Sequence, residues 1–421
     1  RSSSKQQTAG SASSLCYFIL LLLLSVVVIF ASGTLAALVI KNFWPAIHPG
    51  ADDNETHPSS PHTEKTMEPA TMEPAKPTLT PFIPAPEPIR LPKSLFPSAY
   101  HLDLTVYLPG YGARISAEKE FTYDGKATVT IAAHEKTNVI VLNSRDLMFD
   151  GKEAITVITK NINEQLKAID FSTDNDLEIL TITLSRMLYV DEIVIATILF
   201  NGKISNSLSG FYKAKHREGG KEIVSASTQF EPDYARRFVP CFDEPAFKAK
   251  WTVVVKHPMG TIALFNGLEH LQLSADGNFH TTIFDETPVM SSYLLALFVG
   301  KYSFKEGKTE RGTRIRVYAR PEKVNQTGIA LSVAKKVLVA YEKFYGIDYP
   351  LQKLDLIAIP DFSAGAMENW GLVTYRETAL LLEPKSPGAL KRYVVLVLAH
   401  ELAHQWFGNL VTMEWFDDLW L

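Results

Sequence analysis

Residues 389–408 read Ala-Leu-Lys-Arg-Tyr-Val-Val-Leu-Val-Leu-Ala-His-Glu-Leu-Ala-His-Gln-Trp-Phe-Gly. Ser386-Pro387-Gly388 precede the run and Gly408 follows it, so the pattern predicts a helix over 389–407, with Leu396, Val397 and Ala403 on its buried side. His400 and His404 stand four residues apart and share one helix face. One Zn²⁺ needs that spacing from two imidazoles. Glu401 lies about 100° further round the helix, where it reaches a metal-bound water rather than the metal. Zinc lowers the pKa of that water to about 7, and a carboxylate so placed takes its proton. A lone histidine is usually a core residue, but two at this spacing around a glutamate favour a metal. A catalytic zinc site also needs a third protein ligand and an open position. No obvious third ligand follows His404 before Leu421.

Composition narrows the surroundings of that helix. The chain has 421 residues, long enough for two or three domains, and 46% are hydrophobic, enough for sizeable cores. A net charge of −4 argues against a nucleic-acid partner. There are 2 cysteines, Cys16 in an apolar run and Cys241 far from it, so no disulfide framework is expected. Cys241 reads as a packed thiol. The sequence starts at Arg1 rather than Met, and truncation at both ends is the expectation.

Leu15 to Ile40 carry no charge. At 26 residues, a helix here would span about 39 Å, against a hydrocarbon core of about 30 Å. The small residues of Ala-Ser-Gly-Thr-Leu-Ala-Ala suit a signal-peptide cleavage site, but the apolar run exceeds the roughly 7–15 residues of such a core. A retained anchor through the lipid bilayer is the reading taken. Arg1 and Lys5 before it, with Asp52, Asp53 and Glu55 after it, point weakly to a cytoplasmic N-terminus. Residues 41–90 are rich in Pro, Thr and Ser, with the tandem repeat Thr66-Met-Glu-Pro-Ala70, Thr71-Met-Glu-Pro-Ala75. That composition buries no core and reads as an extended stalk. Asn54-Glu-Thr56 and Asn325-Gln-Thr327 are glycosylation sequons.

From 91 to 300 the pattern is strands. Ala127–Ala132, Leu177–Leu184, Glu192–Leu199 and Trp251–Lys256 alternate or form short apolar runs. Asp-Gly pairs at 124–125, 150–151 and 276–277 carry turn chemistry. A large antiparallel assembly is expected. After 301 the period changes: Leu331, Ala334, Val337, Leu338 and Tyr341 form a helical stripe over 330–344 that ends near Gly346, and Leu354–Ile359 reads as a strand.

Gly365-Ala366-Met367-Glu368-Asn369 stands between that strand and the histidines. Taken with His-Glu-Leu-Ala-His-Gln-Trp-Phe-Gly-Asn-Leu-Val-Thr from 400 to 412, it resembles the M1 family of zinc aminopeptidases, the gluzincins that include aminopeptidase N and the oxytocinase subfamily. The resemblance runs from about Leu91 to Leu421 and extends to Thr228-Gln-Phe-Glu-Pro232, Pro240-Cys-Phe-Asp-Glu-Pro245 and Tyr375-Arg-Glu377. It implies a multidomain chain: a cytoplasmic tail (1–14), a transmembrane signal-anchor (15–40), a stalk (41–90), an antiparallel β N-terminal domain (91–300) and the first part of a thermolysin-like α/β catalytic domain (301–421). It implies one Zn²⁺ on His400 and His404, with Glu401 as general base. The substrates would be peptides with a free N-terminus, on a type II membrane protein facing the cell exterior or a lumen, most readily at the plasma membrane. A homodimer is compatible with the sequence and not argued by it.

An exopeptidase must recognise a cationic α-amine, and a carboxylate at a strand edge does so by a charge-assisted hydrogen bond. By resemblance Glu368 takes that role with Glu231, while Gly365, Ala366, Met367 and Asn369 complete the substrate-binding segment. Two carboxylates around one ammonium would reject an acylated N-terminus, which leaves them unpaired. The plainer readings are that Glu231 pairs with Arg236 or Arg237, that Glu368 is a surface turn residue, and that Asp243 and Glu244 are structural acids. By resemblance the family's third zinc ligand, a Glu that follows His404 after eighteen intervening residues, falls two positions past Leu421, and its catalytic Tyr lies further downstream. Asp417 and Asp418 fall short of that spacing. The chain as given is therefore expected to be inactive alone. The competing expectation is a membrane-tethered peptide-binding module without turnover, and a zinc endopeptidase ranks last.

Overall fold

The computed structural model describes residues 90–420 apart from 162, 276 and 277. The segments read as tail and anchor, nearly all of the segment read as stalk, Cys16, the Asn54 sequon and the Asp-Gly pair at 276–277 lie outside the described residues. Among the described residues no helix is long and apolar enough to cross a membrane.

Leu95–Tyr107 alternates buried and half-buried residues along its length and is the centre of the first sheet. Leu102, Leu104 and Val106 point inward with Ala127, Val129 and Ile131 of the neighbouring Thr122–Ala133 strand. Eight strands form this sheet, in the order 269–275, 279–284, 250–258, 95–107, 122–133, 193–203, 155–159 and 165–166. A four-stranded sheet (262–265, 297–300, 221–229, 210–218) and a three-stranded one (137–143, 179–188, 168–174) complete the region. The expectation of an antiparallel domain needs one correction. Leu95–Tyr107 and Lys250–Pro258 pair in parallel, from Ala99 with Lys250 to Thr105 with Lys256. The second strand returns after a long excursion through other sheets, so no hairpin dictates its direction.

Asp124-Gly125 is a second correction, because the pair lies inside the Thr122–Ala133 strand and not at a turn. Gly125 faces Phe200, and a Cβ there would lie 2.3 Å from the ring. The glycine makes room for an aromatic from the next strand, a use that looks identical to a turn signal in sequence.

His257 is fully buried on the 250–258 strand. Its Nδ1 is 2.8 Å from the Thr261 hydroxyl and its Nε2 2.9 Å from that of Thr282. Thr261 spends its own proton on the Pro258 carbonyl, so it accepts from Nδ1–H, and the proton sits on Nδ1. Burial, then the neighbouring His280, pushes His257 down to about 4. The folded pKa is below the unfolded one, so the stabilisation is complete above about pH 6.5 and drains away as pH falls toward 4. By pH 4.5 the wild type is expected to lose on the order of 2–3 kcal/mol that a His257→Gln variant does not. Urea midpoints of both proteins at pH 7.5 and 4.5 check this; parallel losses would refute it.

The second region holds a five-stranded mixed sheet in the order 303–308, 314–319, 353–359, 372–376 and 366–367. Lys353–Ile359 is buried along its whole length, as a parallel strand covered on both faces should be. Helix α1 (Gly328–Tyr345) buries the predicted stripe at Ala334, Val337, Leu338 and Tyr341 and leaves Leu331 half-buried; it stops at Gly346 with φ +64°. After the short α2 (Glu377–Leu380), helix α3 (Gly388–Ala403) packs against α1, and Tyr341 donates to the Ala399 carbonyl at 2.9 Å. The buried side of α3 is Val394, Val395, Leu398, Ala399 and Leu402. Of the residues expected there, Leu396 is exposed and Val397 and Ala403 are half-buried. A helix so apolar throughout leaves its phase undecided until its neighbours choose it.

The two regions share a continuous core. Polar ties join them: Asn266 Nδ2 donates to the Trp370 carbonyl, Tyr212 to that of Asp361, and the Asp361 carboxylate accepts from Lys215 N–H. The last two fix the loop that leads into Gly365.

Candidate active site

Helix α3 ends at Ala403, and His404 caps it. The His404 N–H still donates to the His400 carbonyl at 3.3 Å, so both rings look into one cleft. Their Nε2 atoms are 3.1 Å apart and their planes stand at 89°. His404 Nδ1 lies 2.9 Å from the Phe407 carbonyl. A carbonyl only accepts, so Nδ1 carries the proton and Nε2 presents a lone pair. Burial pushes both imidazoles down, keeping the neutral form a metal requires. Two nitrogens each about 2.0–2.1 Å from a tetrahedral ion stand about 3.3 Å apart. The pair therefore fits a zinc ion, and the carbonyl behind His404 is the usual outer support. Gly408, at φ +127°, closes the turn behind that ring, where a Cβ would come within 2.9 Å of Nδ1. Among the described residues no set of three His, Cys, Asp or Glu is grouped for a metal.

Glu401 enters the same cleft, a space of about 280 Å³. Its side chain is buried, and Oε2 has no hydrogen-bond partner. Burial, then Glu368 and Glu231, pushes this carboxyl well above the usual carboxylate range.

Ala366–Met367 forms the edge of the five-stranded sheet, antiparallel to Leu372–Arg376. Glu368 follows immediately, with Oε1 3.9 Å from His404 Nδ1. Glu231 arrives from the other region, two residues past the Lys221–Gln229 strand. Burial raises both carboxyls, and Glu368 raises Glu231 further. Arg236 is engaged with Asp243 and Glu178, and Arg237 with Ser209, so neither arginine bonds to Glu231. No lysine or arginine stands among the described residues that line the cleft. Three carboxyl groups around one space favour a cationic guest.

The structure thus brings Glu231, Ala366, Glu368, His400, Glu401 and His404 together around the cleft. It does not bring Gly365, Met367 or Asn369 to its wall. Met367 is buried in the core, and Asn369 donates to the Thr374 hydroxyl at 3.1 Å while its carbonyl accepts from Leu372 N–H. Gly365 accepts from Arg376 N–H. These three shape the segment from behind. Asp243 takes Arg236 and Ser292, and Glu244 takes Arg90 and Leu91 N–H, so both are structural acids. Cys241 is buried as a thiol.

Four lining residues were not expected at the site: Tyr293, Met413, Leu419 and Trp420, the last two within a stretch, 415–421, that resembles the family. Tyr293 donates to the Gly408 carbonyl at 3.1 Å and so braces the turn behind His404. Nothing in spacing or periodicity marks a tyrosine in a single 3-10 turn more than a hundred residues away.

Comparison with known sequences agrees with this geometry. Residues 96–294 match the Peptidase M1 N-terminal domain and residues 329–421 the Peptidase family M1 domain. The chain is 40% identical over 342 residues to Aminopeptidase N of Haemonchus contortus, covering 79% of this chain and 34% of that one. It is 39% identical over 341 residues to Aminopeptidase N of Homo sapiens, covering 79% and 35%. Aminopeptidase M1-A of Oryza sativa subsp. japonica is 40% identical over 333 residues, covering 79% and 36%. The chain spans about a third of the length of these relatives. With both domains of the family matched in order, and with the paired histidines and edge-strand glutamate meeting in one cleft, the chain belongs to the M1 family of peptidases.

Proposed function

We propose that the intact protein is a zinc metallo-aminopeptidase that removes N-terminal residues from peptides. The observation that carries this is the meeting of two imidazole nitrogens 3.1 Å apart, an unpartnered Glu401 carboxyl oxygen and the Glu368–Glu231 pair in one cleft. His400 and His404 would hold the zinc, which when bound polarises the scissile carbonyl and brings a water pKa to about 7. Glu401 accepts the water's proton and returns it to the leaving amine. Glu368 and Glu231 hold the substrate's α-ammonium, and the Ala366–Met367 edge aligns its backbone as an added strand. Residues 91–300 and 301–421 serve as the N-terminal and catalytic domains. We further read residues 15–40 as a type II anchor, 41–90 as its stalk, and Asn54 and Asn325 as glycosylation sites that face the exterior or a lumen. Asn325 is exposed, which suits that assignment.

Leucyl-p-nitroanilide and its N-acetyl form test the reaction. Turnover of the first alone, abolished by a chelator and restored by zinc, is the expected result. Amine binding without turnover would favour the binding-module reading, and internal cleavage of an N-acetylated peptide would favour an endopeptidase. Glu368→Ala is expected to raise KM for the free-amine substrate by about 10- to 100-fold. An unchanged KM would remove Glu368 from amine recognition.

A further inference from the structure

Glu368 lies one residue beyond the two-residue edge strand, whose pairs are Ala366 with Tyr375 and Met367 with Thr374. The ladder therefore does not hold its carbonyl. Two side-chain amides do. Gln405 Nε2 donates to the Glu368 carbonyl at 3.2 Å, and Asn409 Nδ2 donates to the same oxygen at 2.9 Å. Gln405 Nε2 also donates to the Glu401 carbonyl at 3.0 Å. Both amides are buried, at 1% and 0% exposure.

Their other ends are informative. Gln405 Oε1 and Asn409 Oδ1 are buried and make no hydrogen bond. An unpaired buried amide oxygen is destabilising, and an apolar side chain of the same shape would avoid it. The amides are explained by what their donors do: without them the Glu368 carbonyl would be left unpaired. Both amides donate to the one backbone oxygen that places the Glu368 carboxylate, and Gln405 donates to the Glu401 carbonyl as well. Both residues also belong to the turn that orients His404, since the Asn409 N–H donates to the His404 carbonyl at 3.0 Å.

We infer that Gln405 and Asn409 are positioning residues for amine recognition, tethering Glu368 at a set distance from the histidine pair. Without the tether the edge strand keeps its ladder, but the carboxylate drifts relative to the histidines. A misplacement near 1 Å is enough to lose up to about 100-fold in a positioned interaction. The inference rests on Glu368 being the amine-binding group.

The test uses 3-methylbutylamine, which offers an amine and no carbonyl, against neutral 3-methylbutanol. Calorimetric Kd values are measured for the zinc-loaded intact protein as wild type, as Gln405→Met, and as the double variant Gln405→Met/Asn409→Ala. Zinc content and melting temperature are taken alongside. The double variant is expected to bind the amine at least about tenfold more weakly, keep its zinc, and bind the alcohol as the wild type does. If the wild type does not prefer amine to alcohol, the amine-binding reading fails and takes this inference with it. If the wild type prefers the amine and the zinc-replete double variant binds it equally well, the tether is refuted while amine recognition stands. Should the double variant lose zinc or melt, Gln405→Met alone decides: a several-fold weaker amine Kd supports the tether, and an unchanged Kd overturns it.

Discussion

Replacing Glu401 by glutamine in the intact protein is expected to lower kcat about 10³-fold with little change in KM. Glutamine keeps the volume of the side chain and its place on α3, but it cannot take up a proton. Glu401 has the setting of a base. It follows one histidine of the pair, it is buried, and Oε2 is not committed to any other residue. A proton acceptor acts as the transition state forms, so its loss appears in kcat and not in ground-state binding. His400 and His404 are untouched by the change, so zinc content measured by atomic absorption should equal the wild-type value. A zinc-replete variant with kcat within tenfold of wild type would exclude Glu401 as the base.

The second large effect concerns stability. Asp355 sits on the central 353–359 strand with 1% exposure. It accepts from Arg316 at 3.0 and 3.2 Å and pairs with Lys353 at 3.0 Å. Burial pushes the Lys353 ammonium down, and Asp355 opposes that. Lys353 also donates to the carbonyls of Phe265 and Gly371, and Arg316 reaches Glu269 of the eight-stranded sheet. This buried cluster stands where the two regions meet. Asp355→Ala leaves a buried ammonium and a buried guanidinium short of their shared counter-ion, and breaking a buried pair on one side costs about 3–5 kcal/mol. The urea midpoint is expected to fall accordingly. Asp355→Ala/Lys353→Met should recover part of the loss, because it removes one of the stranded charges as well. A single variant within 1 kcal/mol of wild type would show that Glu269 alone satisfies the cluster.

Much of the site was legible before any fold was known. The spacing of His400, Glu401 and His404 already encodes a helix face, because an α-helix repeats every 3.6 residues. The segment from Gly365 to Asn369 and the Thr228–Pro232 stretch could be assigned by resemblance, and Glu368 and Glu231 do reach one cleft. The stripe of α1 was legible too, since Ala334, Val337, Leu338 and Tyr341 all bury. The misreadings share one cause. Asp124-Gly125 resembled a turn because a glycine that admits an aromatic neighbour and one that bends a chain look alike in one dimension. Leu396 resembled core because an apolar helix does not say which side its neighbours will cover.

By itself, the sequence determined what depends on nearby residues: the histidine pair, its intervening glutamate, the periodicity of strands and helices, and the composition of the first ninety residues. Only the tertiary structure decided what depends on residues distant along the chain. It decided that Lys250–Pro258 runs parallel to Leu95–Tyr107, that Glu231 stands beside Glu368, and that Tyr293 braces the turn behind His404. It also decided that Gln405 and Asn409 converge on one carbonyl some forty residues upstream. Local geometry is set by backbone sterics and side-chain period, which a few neighbouring residues specify. Long-range contacts are set by which faces pack together, and the whole chain settles that at once.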